Sequence, residues 1–202
     1  TVTQIEADNW IDTERNKHKR ILGLNLNSLI NKKEPALYDT IMPMITSFLI
    51  EYNFSLFLIP HDERGLESDV EIAQKLQNDF DNRNLLGSIA LKSPLTPSAI
   101  PPITGKLDLI ITGRMHLAIL ALKSNVLPIS ITYQGKFEGL YSLFQLPSDK
   151  LCLSPRQIVD QPCTLKNTIL HALTYKEIYQ FRINRNQQNL RMLAAKNLEG
   201  GF

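Results

Sequence analysis

Short, mostly apolar runs recur along this chain, each closed by a turn residue and followed by a stretch with helical spacing. Phe54 to Ile59 (FSLFLI) ends at Pro60, Leu107 to Thr112 (LDLIIT) ends at Gly113, and Val126 to Thr132 (VLPISIT) leads into a Tyr-Gln-Gly-Lys turn. Runs this short and this apolar suit strands buried inside a sheet. Ile21 to Asn27 (ILGLNLN) alternates as a first strand, Leu85 to Leu91 supplies another, and the stretch around Leu151 to Leu153 adds a last short one. Strand, helix, strand, helix at this spacing means βαβ units, hence an α/β fold with a parallel sheet and helices on both faces.

The intervening segments carry the helical period. Leu37, Ile41, Met44, Ile45, Phe48, Leu49 and Tyr52 share one face of a helix that Pro35 can start and Pro43 should bend. Val70, Ala73, Leu76 and Phe80 mark a second helix, and a third runs from about Arg114 to Ser124. Thr96 is placed to cap a short helix whose length Pro101 and Pro102 limit. From Leu165 the apolar spacing continues through Ile169, Ala172, Leu173 and Phe181, predicting a long or broken C-terminal helix. The chain divides accordingly into a linker or N-terminal segment (1–19), a sheet-bearing domain (20–161) and a C-terminal helical segment (162–202).

Composition narrows the functional classes. With 22 basic against 20 acidic side chains the formal charge is +2, too little for the basic face that nucleic-acid binding requires. Arg15, Lys17, Lys19 and Arg20 around His18 form one short basic run, read as solvated linker. No run reaches the length of a membrane span, and no signal peptide opens the chain. Cys152 and Cys163 lack the spacing of a metal site and read as reduced, partly buried thiols. A chain that begins at Thr1 reads as a fragment or a processed product.

In an open parallel sheet, ligands bind beyond the carboxyl ends of the strands, where helix N-termini present free N–H groups. Gly113-Arg114-Met115-His116 stands at such a junction: Gly113 permits a sharp exit, Arg114 offers a planar fork to an anion, and His116 titrates near neutrality. His61 in Pro60-His61-Asp62 stands at the same sheet edge, and Lys136 follows the last long strand. Asn25 and Asn27 end the first strand, where they either meet a ligand or close the turn. The chain holds no GxGxxG, no P-loop and no GxSxG, which argues against a dinucleotide reductase, a P-loop nucleotidase and an α/β-hydrolase.

The stretch DLIITGRMHLAILALKSNVLPISITYQGKFEGL (108–140) resembles the signature of the polysaccharide pyruvyl transferases, and GLNLNSLI and LFLIPHDERGLESD resemble that family's first and second strand ends. The resemblance runs from about Arg20 to Leu146. It implies the Rossmann-like C-terminal domain of a GT-B-like, two-domain enzyme that moves the pyruvyl group of phosphoenolpyruvate onto sugar hydroxyls as a ketal. Residue by residue, it implies that Arg114 and His116 contact phosphoenolpyruvate, that Met115 contributes backbone, and that Lys136 and His61 match the Lys and His of neighbouring elements. Phosphoenolpyruvate would be donor substrate with no further cofactor, no residue is singled out as a metal ligand, and whether a metal assists stays open. The partners implied are a sugar or lipid-linked saccharide acceptor and an N-terminal domain of the same enzyme, without which this chain would be inactive. A cytoplasmic location, or one peripheral to the membrane, is the corresponding expectation.

Two other readings stay open at this level. One is half of a nucleotide-sugar-dependent GT-B glycosyltransferase, for which Glu138 is the local candidate to hold a ribose. The other is a binding or assembly module without catalysis, docking through its C-terminal helix.

Overall fold

A computed structural model describes residues 2–64, 68–82, 87–96, 98–132 and 135–199; for Lys136 and 190–199 the description stops at the backbone. The expected sheet is present. Strands β1 (Arg20–Asn25), β2 (Phe54–Leu58), β3 (Ser88–Ala90), β4 (Leu109–Thr112), β5 (Pro128–Ile131) and β6 (Cys152–Leu153) pair in the order β3-β2-β1-β4-β5-β6. Every pairing is parallel. The order reverses between β1 and β4, whose carboxyl ends, Asn25 and Thr112, are register partners. A crevice opens at such a reversal because the connections leave toward opposite faces.

Alternate strand residues feed two cores, one on each face of the sheet. Leu22, Leu24, Leu56, Leu58, Leu109 and Ile111 pack with Ile41, Ile45 and Phe48 of helix α3 (Ala36–Tyr52) and with Leu76 and Phe80 of α4 (Asp69–Asn82). Ile21, Phe57 and Ile110 point the other way. They meet Ala7 and Ile11 of α1 (Gln4–Asn16), Ile100 and Ile103 of α5 (Ile100–Thr104), and Leu117 and Ala121 of α6 (Met115–Lys123). Gly23 belongs to this second face: a Cβ there would stand 2.8 Å from Leu107 Cδ1 and 3.1 Å from Ile110 Cγ1, so any larger residue would make those side chains shift.

Several local features depart from the sequence reading. The segment before β1 holds α1, started by a Thr3–Glu6 capping box, with Ala7 and Ile11 fully buried. Its basic run is engaged: Lys17 and Lys19 pair with the buried Glu14 at 2.7 and 3.1 Å, and Arg15 lies 3.7 Å from Asp108. Helix α3 runs unbroken through Pro43. Pro43 and Asp39, the residue whose carbonyl loses its partner, are both exposed, so water can take the place of the missing N–H. Thr96 does not cap α5 with its side chain; its carbonyl accepts from Ala99 and Ile100, while Pro101 and Pro102 lie in the first turn, where proline is tolerated.

Beyond β5 lie α7 (Lys136–Leu143), α8 (Ser148–Leu151), α9 (Pro155–Asp160) and α10 (Cys163–Thr174). The C-terminal helical segment is broken at Tyr175, after which α11 (Lys176–Glu199) begins. Cys152 is half-buried and its thiol is pushed up to about 12 by burial and the nearby Glu138, whereas Cys163 is exposed. Among the described residues no helix is long and apolar enough to cross a membrane.

Candidate functional site at the carboxyl ends of the strands

Helix α2 (Ser28–Lys33) follows β1, and Asn27 caps it by accepting from Leu29 N at 2.8 Å. The Asn27 amide also donates to the Gly113 carbonyl at 3.2 Å, tying the β1 exit to the β4 exit. Gly113 is required for that approach, since a Cβ would lie 2.5 Å from Ile30 Cδ1 and 2.9 Å from Asn27 Cβ. Arg114 then takes an extended conformation at the N-cap of α6, its N–H held by Thr112 Oγ1 at 3.0 Å. Asn25 is buried, donates to Ile59 O and accepts from Thr112 Oγ1. Of the two readings of this asparagine pair, the structure favours closing the turn.

The centre of the arrangement is a residue the sequence reading passed over. Asp69, at the start of α4, has a wholly buried side chain and accepts both Nε and Nη2 of Arg114, at 3.0 and 2.7 Å. The same carboxylate accepts from Asn25 Nδ2 at 3.0 Å, Ser28 N at 3.2 Å and His61 N at 3.4 Å. One side chain therefore fastens β1, α2, the β2 exit, α4 and α6 together. The third nitrogen, Nη1, stands 3.5 Å from Asp62 Oδ2. Asp62 in turn receives Arg64 Nε and Nη2 at 2.9 and 3.0 Å, and these bonds hold its carboxyl well below the usual range.

Asp69 was hidden because Ser68 and Glu71 already form a reciprocal pair at this helix start, so Asp69 looks like one more acid favouring the dipole. Its register was the available signal: it shares the face of Ile72, Ala73, Leu76 and Phe80, where a charge needs a partner.

His61, Asp62, Glu63, Arg64, Pro94, Arg114, Met115 and His116 line an open cleft of about 400 Å³. The structure thus brings His61, beyond β2, to Arg114, Met115 and His116 at the start of α6, with Gly113 immediately behind them. The His61 and His116 rings face each other with centroids 6.3 Å apart and planes inclined by 30°. Burial and then the Arg114 charge push the His61 imidazole below its ordinary value, against the opposing pull of Asp69 and Asp62. Lys136 is the first residue of α7, and its side chain, like Tyr133 and Gln134, lies outside the described part. Among the described residues no group of three His, Cys, Asp or Glu is placed to hold a metal ion.

Fold and cleft together define an open α/β protein of the Rossmann-like kind with an arginine–histidine site at its switch point. The sequence model of the polysaccharide pyruvyl transferases matches residues 7–135, and the chain belongs to that family. The matched span contains His61, Asp69, Arg114 and His116. No curated protein compared with the chain matches it.

Among solved structures, a co-structure of S. aureus MnaA with UDP is similar over 87% of this chain and 41% of its own, with 15% identity and a TM-score of 0.57. The glycotransferase of kitacinnamycin is similar over 90% of this chain and 43% of its own, at 12% identity and a TM-score of 0.45. The chain spans less than half the length of either. The MnaA likeness concerns the fold, which is the GT-B-like, Rossmann-like α/β unit expected from the sequence.

Proposed function

We propose that this chain is the phosphoenolpyruvate-binding half of a pyruvyl transferase that builds ketals on sugar hydroxyls in cell-surface polysaccharide biosynthesis. The observation carrying this reading is the junction of Arg114 and His116 with His61 in one cleft, inside the span that the family shares. Arg114 Nη1 and the first-turn N–H groups of α6 give the donor's carboxylate or phosphate a place to dock. His116, as imidazolium, gives a proton to the methylene carbon, which makes the central carbon electrophilic toward a sugar hydroxyl.

The charge on Arg114 is already balanced by Asp69 and shared with Asp62. Its fork is therefore held as a fixed donor, Arg64 in the same cleft is likewise paired with Asp62, and the donor's remaining negative charge needs further cations. Lys136 and a second, N-terminal domain are where this reading places them.

Arg114→Ala and His116→Ala in the full-length protein should each lower turnover of phosphoenolpyruvate by at least ~100-fold, the low end for losing a general acid. Near-native rates in both would refute the assignment. The UDP of the MnaA co-structure favours a second reading, a nucleotide site in the same crevice. Glu138, exposed on the first turn of α7, is then the candidate for the ribose.

A further inference from the structure

We propose that His61 and His116 form an acid–base pair whose members exchange roles between the two halves of ketal formation. The proposal rests on the pyruvyl-transfer reading and adds a second catalytic imidazole to it. His61 leaves the end of β2 and His116 opens α6, so the sheet and its first-turn contacts set the 6.3 Å spacing of their rings. Both line the cleft, and neither ring is hydrogen-bonded to a described residue. A planar three-carbon enol at the mouth of that gap is within reach of both.

Their surroundings differ in the sense that two proton-transfer roles require. His61 is half-buried beside Arg114, with Asp69 and Asp62 opposing and His116 reinforcing the effect of that cation; Glu63 and Arg64 complete the charged groups along the cleft. His61 therefore starts neutral, as a base. His116 is exposed in the first turn of α6, open to both the cleft and solvent.

In the first half, His61 takes the proton of a sugar hydroxyl as that oxygen bonds to the central carbon of phosphoenolpyruvate. The electron pair of the carbon–carbon double bond takes the proton of the His116 imidazolium, and the methylene becomes a methyl. The product is a tetrahedral carbon bearing phosphate, carboxylate, methyl and the sugar oxygen.

In the second half the carbon–oxygen bond to phosphate breaks, its electron pair leaving with the phosphate, which collects the proton now on His61. The second hydroxyl bonds to the central carbon and gives its proton to His116. Pyruvate ketal and hydrogen phosphate are released, and both imidazoles return to their starting states. Protons and charge close with no oxidant and no further reactant.

The test is the pH–rate profile of phosphate release from phosphoenolpyruvate by the full-length protein, with methyl hexopyranosides as the diol probes. The native profile should fall on both sides. His61→Gln should lower kcat by ~100-fold and abolish the fall on the acidic side, His116→Gln should abolish the fall on the alkaline side, and added imidazole should restore turnover to His61→Ala. An active native protein whose His61→Gln variant keeps its acidic fall, or whose His61→Ala variant ignores imidazole, overturns the role exchange alone. A native protein that releases no phosphate overturns the pyruvyl-transfer reading, and the pair with it.

Discussion

Asp69 shows how a single buried carboxylate can set the shape of a site it does not line. Its two oxygens meet donors from Asn25, Ser28, His61 and Arg114, all described above as hydrogen bonds of 2.7 to 3.4 Å. Asp69→Asn keeps the volume but removes the charge and turns one oxygen into a donor that faces other donors. Breaking a buried pair in this way costs about 3–5 kcal/mol. Urea unfolding should record a loss of that order, and a loss under about 1 kcal/mol would show that Asp69 is not the fastening.

Gly113 is the complementary case, in which an absence of atoms matters. Gly113→Ala forces a methyl against Ile30 and Asn27, and overpacking of this kind costs about 1–3 kcal/mol. The same unfolding measurement should show it, and an unchanged midpoint would mean that Ile30 moves aside freely.

A third residue ties stability to pH. Burial pushes the Glu14 carboxyl up, but its bonds to Lys17, Ser55 and Lys19 together outweigh this and leave it below its ordinary value. A carboxylate lowered in the folded state contributes stability that is present above its unfolded value and is lost as pH falls through the folded one. Glu14→Gln should therefore flatten the loss of stability in acid; native and variant curves that stay parallel as pH falls through the usual carboxylate range would contradict this.

At the scale of elements, what the sequence showed and what it hid follow from periodicity. The β1, β2, β4 and β5 runs and the helices α3, α4 and α6 were legible because each buries enough apolar residues to show a period. Helix α1 was not: its buried positions are Ala7, Ile11 and Glu14, dispersed among charges, so its place in the core depends on surfaces the sheet supplies. Ile11→Ala should accordingly cost about 2–5 kcal/mol, as a core truncation does, although the segment reads as polar. A change below about 0.5 kcal/mol in thermal or urea unfolding would return it to the status of a linker.

The candidate junction was legible for a similar reason. Gly113, Arg114 and His116 are adjacent in sequence, and a strand-to-helix junction announces its position. The Arg114 clamp was not, because Asp69 reaches it from a different crossover and only the folded sheet brings the two together.

For the molecule as a whole, strand order decides where chemistry can sit. The reversal between β1 and β4 opens a crevice at Asn25 and Thr112, and β2 brings His61 to the same rim. Two cores, one on each face, anchor the sheet from whose strand ends the segments carrying His61, Arg114 and His116 leave. Family membership and a fold found within a longer structure are consistent with one half of a two-lobed cleft, the arrangement proposed above.

The most direct test is ligand-induced thermal stabilisation of this chain. A ligand present at ten times its dissociation constant adds about 1.4 kcal/mol, or roughly 3–6 °C in a domain of this size. Phosphoenolpyruvate should raise the midpoint by that amount in the native chain and leave Arg114→Ala unmoved, while uridine and guanosine diphosphates give no shift. Stabilisation by a nucleoside diphosphate with none by phosphoenolpyruvate would contradict the pyruvyl-transfer account and favour the nucleotide site.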